Sequence, residues 1–452
     1  MAGPVTITGL GVVSGLGLGV DALWDGLMNG RTGLSPLTLF DASAFPSRIA
    51  AAVDDGFKVR DFVPKTYRKA TKVMCRDIEF AVAAAMLAVQ DGRLVTKGNI
   101  DSPPDGVDAS AGPTHPPSRV GCQIGAGLIV ADLNELTAAF AVARDPDTGG
   151  FDYRAWGEKG MYDLTPLWLL KYLPNMLACH VTIVHDAQGP SNTITCGETS
   201  GALSIAEATR VIERGQADLC FAGGAETKLN PLAFYRQCRT GMLAETSPGD
   251  EGNPAAVIRP FGQDARGTLA GEGGAIIMAE LAEKADARNA TRYADVAGFG
   301  AVQACDLIEG GRKPNPSGRS LRRAIEAALA DAGITAADVN AIVPAGYGTP
   351  AYDTHEQAAL EAVFEDRFTE IPLVLTKPNI GACNAAASAI DIAVAAMCVR
   401  HQALPPRIGG GGGETLPNAR PSDARDANLK HVLVTSMGIG GQNSAMVLRR
   451  PA

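Results

Sequence analysis

The sequence predicts an α/β protein. Apolar, β-branched runs ending in glycine turns recur along the chain, and alanine-rich stretches with helical spacing lie between them. One central stretch, Gly189-Pro190-Ser191-Asn192-Thr193-Ile194-Thr195-Cys196-Gly197-Glu198-Thr199-Ser200-Gly201, joins the two kinds of element directly. Thr193 to Thr195 read as a strand, and Gly197 supplies turn dihedrals closed to other residues. Gly201 to Ile212 then carries Ala, Leu, Ile and Val at helical spacing, with Thr199 or Ser200 as its capping candidates. A strand, a tight turn and a buried helix N-terminus suit a nucleophile, because unpaired N–H groups and the helix dipole favour developing negative charge.

The other elements follow in order. Val5 to Ser14 is a buried strand running into a glycine-rich turn, but its spacing is not the G-x-G-x-x-G of a dinucleotide site, and no cofactor is expected. Val20 to Met28 is a helix that Asn29-Gly30 closes with a left-handed cap. Ala70 to Val89 reads as one long helix. Residues 96–117 hold five prolines with Asp, Gly and Ser and no apolar period, the composition of a solvated insertion. Val120 to Gly127 is a second buried strand, and 144–163 a further loop. A helix starts at Leu173-Pro174-Asn175-Met176, and strand-like Val181 to Val184 lies between His180 and His185, whose spacing indicates no metal site. Asp218 to Glu226 and Ile276 to Leu281 are strands, and Leu321 to Asp331 is a helix. Pro405-Pro406 and the five glycines from 409 to 413 form a loop whose composition argues for mobility.

Composition narrows the function classes. With 452 residues, 46% hydrophobic and 20% charged, the chain is long enough for a large core. A net charge of −9 argues against a nucleic-acid partner. Nine scattered cysteines without metal-like pairs suggest thiols in a reducing compartment. No apolar run reaches a membrane span and the chain opens on a strand rather than a signal peptide, so a cytoplasmic location is expected.

The central stretch resembles the G-P-S-x-x-x-x-T-A-C-x-S-G motif of the β-ketoacyl-(acyl carrier protein) synthases, the condensing enzymes of fatty-acid and polyketide assembly. Gly189-Pro190-Ser191 and Ser200-Gly201 match without a gap, and the family's nucleophilic Cys falls on Glu198, with Cys196 two residues earlier. The opening strand, Phe40-Asp41, Arg48 to Ala51, Arg259-Pro260-Phe261 and Gly271 to Ala275 follow the same family, with Gly262 where Asp is usual. The resemblance implies a thiolase fold, a duplicated, five-layered αβαβα architecture, divided here as 1–258 and 259–452 with insertions near 96–117 and 144–163. It also implies two histidines. In the first motif Thr349-Pro350, Asp353 and Glu356 set the register and the His position is Ala345; in the second, opened by Thr376-Lys377, it is Ala382. Lys377 stands at the family's active-site lysine. Thr199 and the C-terminal Met437 and Ile439, at the usual gating phenylalanines, belong to the implied acyl pocket.

The losses decide the expected chemistry. A methyl group neither transfers a proton nor offers an N–H to a growing enolate. One missing oxyanion donor commonly costs about 10²–10³ in rate, and this site lacks two donors and its nucleophile. A carboxylate is acylated only to a labile anhydride. The resemblance therefore implies the chain-length-factor type: a non-catalytic subunit of a type II fatty-acid or polyketide synthase system. Such a subunit pairs with an active ketosynthase, or with itself, shapes an acyl tunnel and works with acyl carrier protein. The alternative is an acyltransferase or decarboxylase with repurposed chemistry on Glu198, Cys196 or Lys377. Three further expectations follow. Glu198 and Lys377 form a buried ion pair, so that Glu198→Gln destabilises the fold; Cys196 is a buried, inert thiol; and His355 is a surface or capping residue.

Overall fold

The computed structural model describes residues 3–309, 313–409 and 416–452. Its main sheet contains β1 (Val5–Ser14), β2 (Val120–Ala126), β3 (Ser191–Ile194), β4 (Leu219–Glu226), β5 (Gly273–Leu281), β6 (Ala294–Gln303), β7 (Ala341–Val343), β8 (His431–Met437) and β9 (Gln442–Arg449). Around it lie helices α1 (Val20–Met28), α2 (Arg76–Asp91), α3 (Leu133–Val142), α4 (Tyr153–Glu158) and α5 (Met176–His185). They continue with α6 (Ser200–Glu213), α7 (Pro231–Cys238), α8 (Arg319–Asp331), α9 (Pro350–Phe364) and α10 (Ala387–His401).

The strand order is β7-β8-β9-β6-β1-β5-β4-β2-β3. Its pairing repeats. From β1 outward the contacts run antiparallel to β5, antiparallel to β4, then parallel to β2 and β3. From β6 outward they run antiparallel to β9, antiparallel to β8, parallel to β7, and parallel again through an Ile342–Leu373 bridge. The two series join only where Val5 to Ile7 of β1 meets Ala294 to Val296 of β6.

Burial places the helices in layers. Ala387 to Val399 of α10 are buried on every side, the mark of a helix enclosed all round. It shares one core with α6 between the two halves of the sheet. Outside one half, α2 and α5 bury Ile78, Phe80, Leu177 and Val181 against β2, β4 and β5. Outside the other, α8 buries Leu321, Ala324, Ile325, Ala328 and Leu329, an apolar stripe at helical spacing with the charged face outward. Helix, sheet, helix, sheet, helix is the duplicated, five-layered αβαβα order that the resemblance implied. At the tightest layer contact, a Cβ on Gly11 of β1 would overlap the Ala84 carbonyl of α2, so that position takes no side chain.

Several local expectations change. Ala70 to Val89 is not one helix: a 3₁₀ turn at Ala70–Val73 is followed by extended Met74 and Cys75, and α2 begins at Arg76. Asp77 and Glu79 lie in its first turn, where acids suit the positive end of a helix and mark a start that a count of alanines misses. The segment between His180 and His185 is helix, not strand; Leu177, Val181 and Val184 fall on its buried face at helical spacing. The 96–117 insertion is pinned rather than freely solvated. Thr96 and Asn99 are buried and bonded to each other, Thr96 Oγ1 pairs with His185 Nδ1 at 2.8 Å, and His115 Nε2 lies 3.6 Å from Glu280 Oε2. Gly409 packs on Pro378, and the glycines from 410 to 413 lie outside the described residues. Among the described residues no helix is long and apolar enough to cross a membrane.

Candidate functional site

The strand–turn–helix at the centre forms as the sequence required, with different bonds. Gly197 takes φ +59° and opens a 3₁₀ turn, Gly197–Thr199, that leads straight into α6. Thr199 stands at the N-cap of the helix, but its side chain makes no capping bond to it. Thr199 Oγ1 donates to the Cys196 carbonyl at 2.8 Å. Ser200 Oγ accepts the Cys196 N–H at 2.9 Å and donates to the Gly197 carbonyl at 2.6 Å. The hydroxyls hold the turn closed on itself. From the middle layer, Ser388 Oγ of α10 donates to the Glu198 carbonyl at 2.8 Å.

Glu198 therefore sits, buried, at the tip where the nucleophile would be. Its Oε2 accepts the Ile439 N–H at 3.2 Å, and it makes no ion pair among the described residues. Burial pushes its carboxyl up to about 7, and Glu226 adds to the rise; backbone N–H groups and Lys228 oppose it without cancelling it.

The expected Glu198–Lys377 pair does not form. Lys377 Nζ donates to Asp391 Oδ2 at 2.7 Å, to Oδ1 at 3.0 Å and to Thr376 Oγ1 at 3.0 Å, all buried. Asp391 belongs to α10, so the lysine's charge is spent within the second half of the molecule. Lys377 is structural here and is not offered to the turn.

Both alanines are packing residues. Ala345 and Ala382 lie in one apolar cluster with Met437, Tyr347 and Tyr352. The Ala345 and Gly346 N–H groups donate to Glu356 at 2.8 and 2.9 Å, and Thr435 Oγ1 donates to the same carboxylate at 2.6 Å. Ala382 is tied to Leu269 and Gly271 by backbone bonds of 2.8 and 3.0 Å. Tyr347 fills the space beside them, its hydroxyl donating to the Met437 carbonyl at 2.8 Å and its ring edge-on to Tyr352. Sequence reasoning missed Tyr347, although an aromatic at the usual threonine of the first motif was the available signal.

Glu198 borders a cavity of about 400 Å³. Cys196, Glu198, Glu226, Lys228, Asn384 and Ile439 line it, with Leu128 and Val130 among its apolar walls. Thr199, Ala345, Lys377, Ala382 and Met437 do not, so Ile439 is the one member of the expected gate that reaches it. Cys196 is half-buried on the cavity wall rather than enclosed, and burial pushes its thiol up, away from the nucleophilic thiolate. Glu226 accepts the Ala385 N–H at 2.8 Å and pairs with Lys228, so that lysine too is spoken for. Gln237 of α7 bonds Asn384 across the cavity. His355 is not on the surface: it is buried, with Nε2 3.2 Å from Ser320 Oγ.

The strand–turn–helix lies between the two halves of the sheet, and comparison with known proteins gives the family to which the chain belongs. The chain matches the N-terminal domain of the β-ketoacyl synthases over residues 2–284 and their C-terminal domain over 293–410, and it belongs to that family. It is 31% identical to 3-oxoacyl-(acyl-carrier-protein) synthase 2 of Coxiella burnetii, over 99% of this chain and 98% of that one. Among solved structures it is similar to the ishigamide ketosynthase/chain length factor, with a TM-score of 0.79 and 25% identity over the whole of both chains. The structure of AntDE:AntF, a type II polyketide acyl-carrier protein in complex with its ketosynthase, shares the fold at a TM-score of 0.78 and 23% identity, again over both whole chains.

Proposed function

We propose that this chain is a non-catalytic, chain-length-factor-like subunit of a type II fatty-acid or polyketide synthase system. It pairs with an active ketosynthase and shapes that enzyme's acyl tunnel. One observation carries the reading: the nucleophile position holds a buried carboxyl, and both histidine positions are methyls packed into a core that Tyr347 closes. The tip carries a carboxyl where a thiolate would attack a thioester, and the methyls at 345 and 382 offer no side-chain N–H to an enolate. Similarity to a ketosynthase/chain length factor supports the same reading.

Two surface features fit the partners. Among the described residues the outermost strand of its half, β3, is bonded on one side only, to β2, and its Ser191 and Asn192 are exposed, leaving an edge for a partner chain. Within residues 54–72, exposed Lys58, Arg60, Lys65, Lys69 and Lys72 outnumber exposed Asp54, Asp55 and Asp61, on a chain of net charge −9. A local excess of basic side chains suits an acidic partner of the acyl-carrier kind. We place the boundary between the two halves after β5, between 281 and 294, rather than at 258, because β5 pairs with β1 and β4 of the first half.

Co-expression with a ketosynthase that retains its Cys and both His, followed by native mass measurement, tests the proposal. A one-to-one heterodimer whose product length changes when the cavity-lining Leu128 is enlarged to Trp supports it. Condensation by the isolated chain refutes it.

A further inference from the structure

The cavity beside Glu198 has unusual charge bookkeeping. Two carboxyls, Glu198 and Glu226, face it, and Lys228 is already paired with Glu226. Lys377, the other buried cation of the region, is held by Asp391 and Thr376. Glu198 is thus buried without a direct ion pair among the described residues, and a carboxylate left so is costly while a neutral carboxyl is not. One of its oxygens is engaged by the Ile439 N–H. The protonated form then has one O–H to donate. That donor borders a cavity of about 400 Å³ with Leu128, Val130, Ala233 and Ile439 in its walls.

The geometry points to a reversible receptor for an uncharged carbonyl group. Glu198 donates a hydrogen bond to the carbonyl oxygen of a ligand whose apolar chain lies along Leu128, Val130 and Ile439, and the same group excludes carboxylated ligands. No covalent bond forms. The position that binds acyl groups covalently in an active condensing enzyme here serves as a proton-dependent hydrogen-bond donor. Occupancy falls as Glu198 ionises, because an ionised carboxylate has no proton to give and repels the carbonyl dipole. The charged and titratable groups facing it are Glu226 from the end of β4, Lys228 just beyond, Arg236 of α7 on the cavity wall, Tyr347 and Tyr352 from the packed core, and Cys196 on its own turn. Of these, Glu226 and Lys228 act on Glu198 in opposite directions. The inference rests on the non-catalytic reading of the site.

The probe is octanoyl-N-acetylcysteamine, a neutral thioester, with octanoate as the carboxylate of the same chain. Binding to the isolated full chain is measured calorimetrically at pH 6 and pH 8.5, and the recovered thioester is assayed for integrity. With a carboxyl that ionises near 7, wild-type affinity for the thioester falls about 30-fold between the two pH values. Glu198→Gln, whose amide N–H is donated at either pH, binds it equally at both, and octanoate does not bind wild type at pH 8.5, where Glu198 is ionised. A wild-type affinity independent of pH, the same slope in Glu198→Gln, or octanoate binding as tight as the thioester overturns the inference while leaving the non-catalytic reading intact. Cleavage or transfer of the thioester overturns that reading itself.

Discussion

Glu198→Gln separates the structure from the ion-pair expectation most sharply, because the two give opposite signs. A buried pair with Lys377 would make the substitution destabilising. In the structure Glu198 has no cation, and its carboxyl is raised from the ordinary 4.5 to about 7 by burial. A carboxyl whose folded value is raised contributes stability that is fully present below about pH 4.5 and is lost as pH rises through 7. From those two values, the cost of ionising Glu198 in the folded chain is about 1 kcal/mol at pH 5 and about 3 kcal/mol at pH 8. The amide removes that cost while still accepting the Ile439 N–H. The Gln variant is therefore expected to be more stable than wild type by up to about 3 kcal/mol at pH 8, and nearly matched at pH 5. For a chain of this length that is about 1 °C of melting temperature per kcal/mol. Thermal melts of both proteins at the two pH values measure it. A variant that melts several degrees below wild type at pH 8 would refute the reasoning.

Other expectations follow from the same contacts. Asp391→Asn strips the buried Lys377 of its counter-charge and is expected to cost about 3–5 kcal/mol in urea unfolding, whereas a surface pair such as Arg154–Glu158 is worth well under 1 kcal/mol. Burial lowers His185 to about 3 and His180 to about 4, so each is neutral in the folded chain and must gain a proton on unfolding in acid. Stability is expected to fall below pH 6.5, by up to about 2 kcal/mol per histidine at pH 5, and His185→Gln should flatten part of that slope in acid melts. Tyr347→Ala empties the core beside Ala345 and Ala382; a loss of about 3–5 kcal/mol is expected from chemical denaturation, with a new void beside Met437 in a crystal structure of the variant.

Most of the fold was legible because its strands are continuous apolar runs closed by glycine: β1, β2, β4 and β5 lie where the runs lie. The α2 boundary was not, since its start is set by acids in the first turn rather than by the alanine run. The pinning of the 96–117 insertion depends on Thr96 meeting His185, a contact between residues far apart in sequence that local composition does not encode. At the site, an expected register for Glu198, Ala345 and Ala382 could be set from flanking motif residues. The partner of Lys377 could not: Asp391 lies about one turn into α10, and only the packing of that helix brings it to the lysine. The cavity's position was equally hidden, because its walls come from segments far apart in sequence: Leu128 and Val130, Glu226 and Lys228, Gln237 of α7 and Ile439.

The central claim is that the catalytic centre is empty, and intact-protein mass measurement tests it most directly. The purified chain is incubated with octanoyl-carrier and malonyl-carrier protein, then weighed whole and after digestion across residues 189–214. The expected result is an unmodified mass and no lengthened acyl-carrier product. An octanoyl adduct on Glu198 or Cys196, or a product longer by one extender unit, would contradict it.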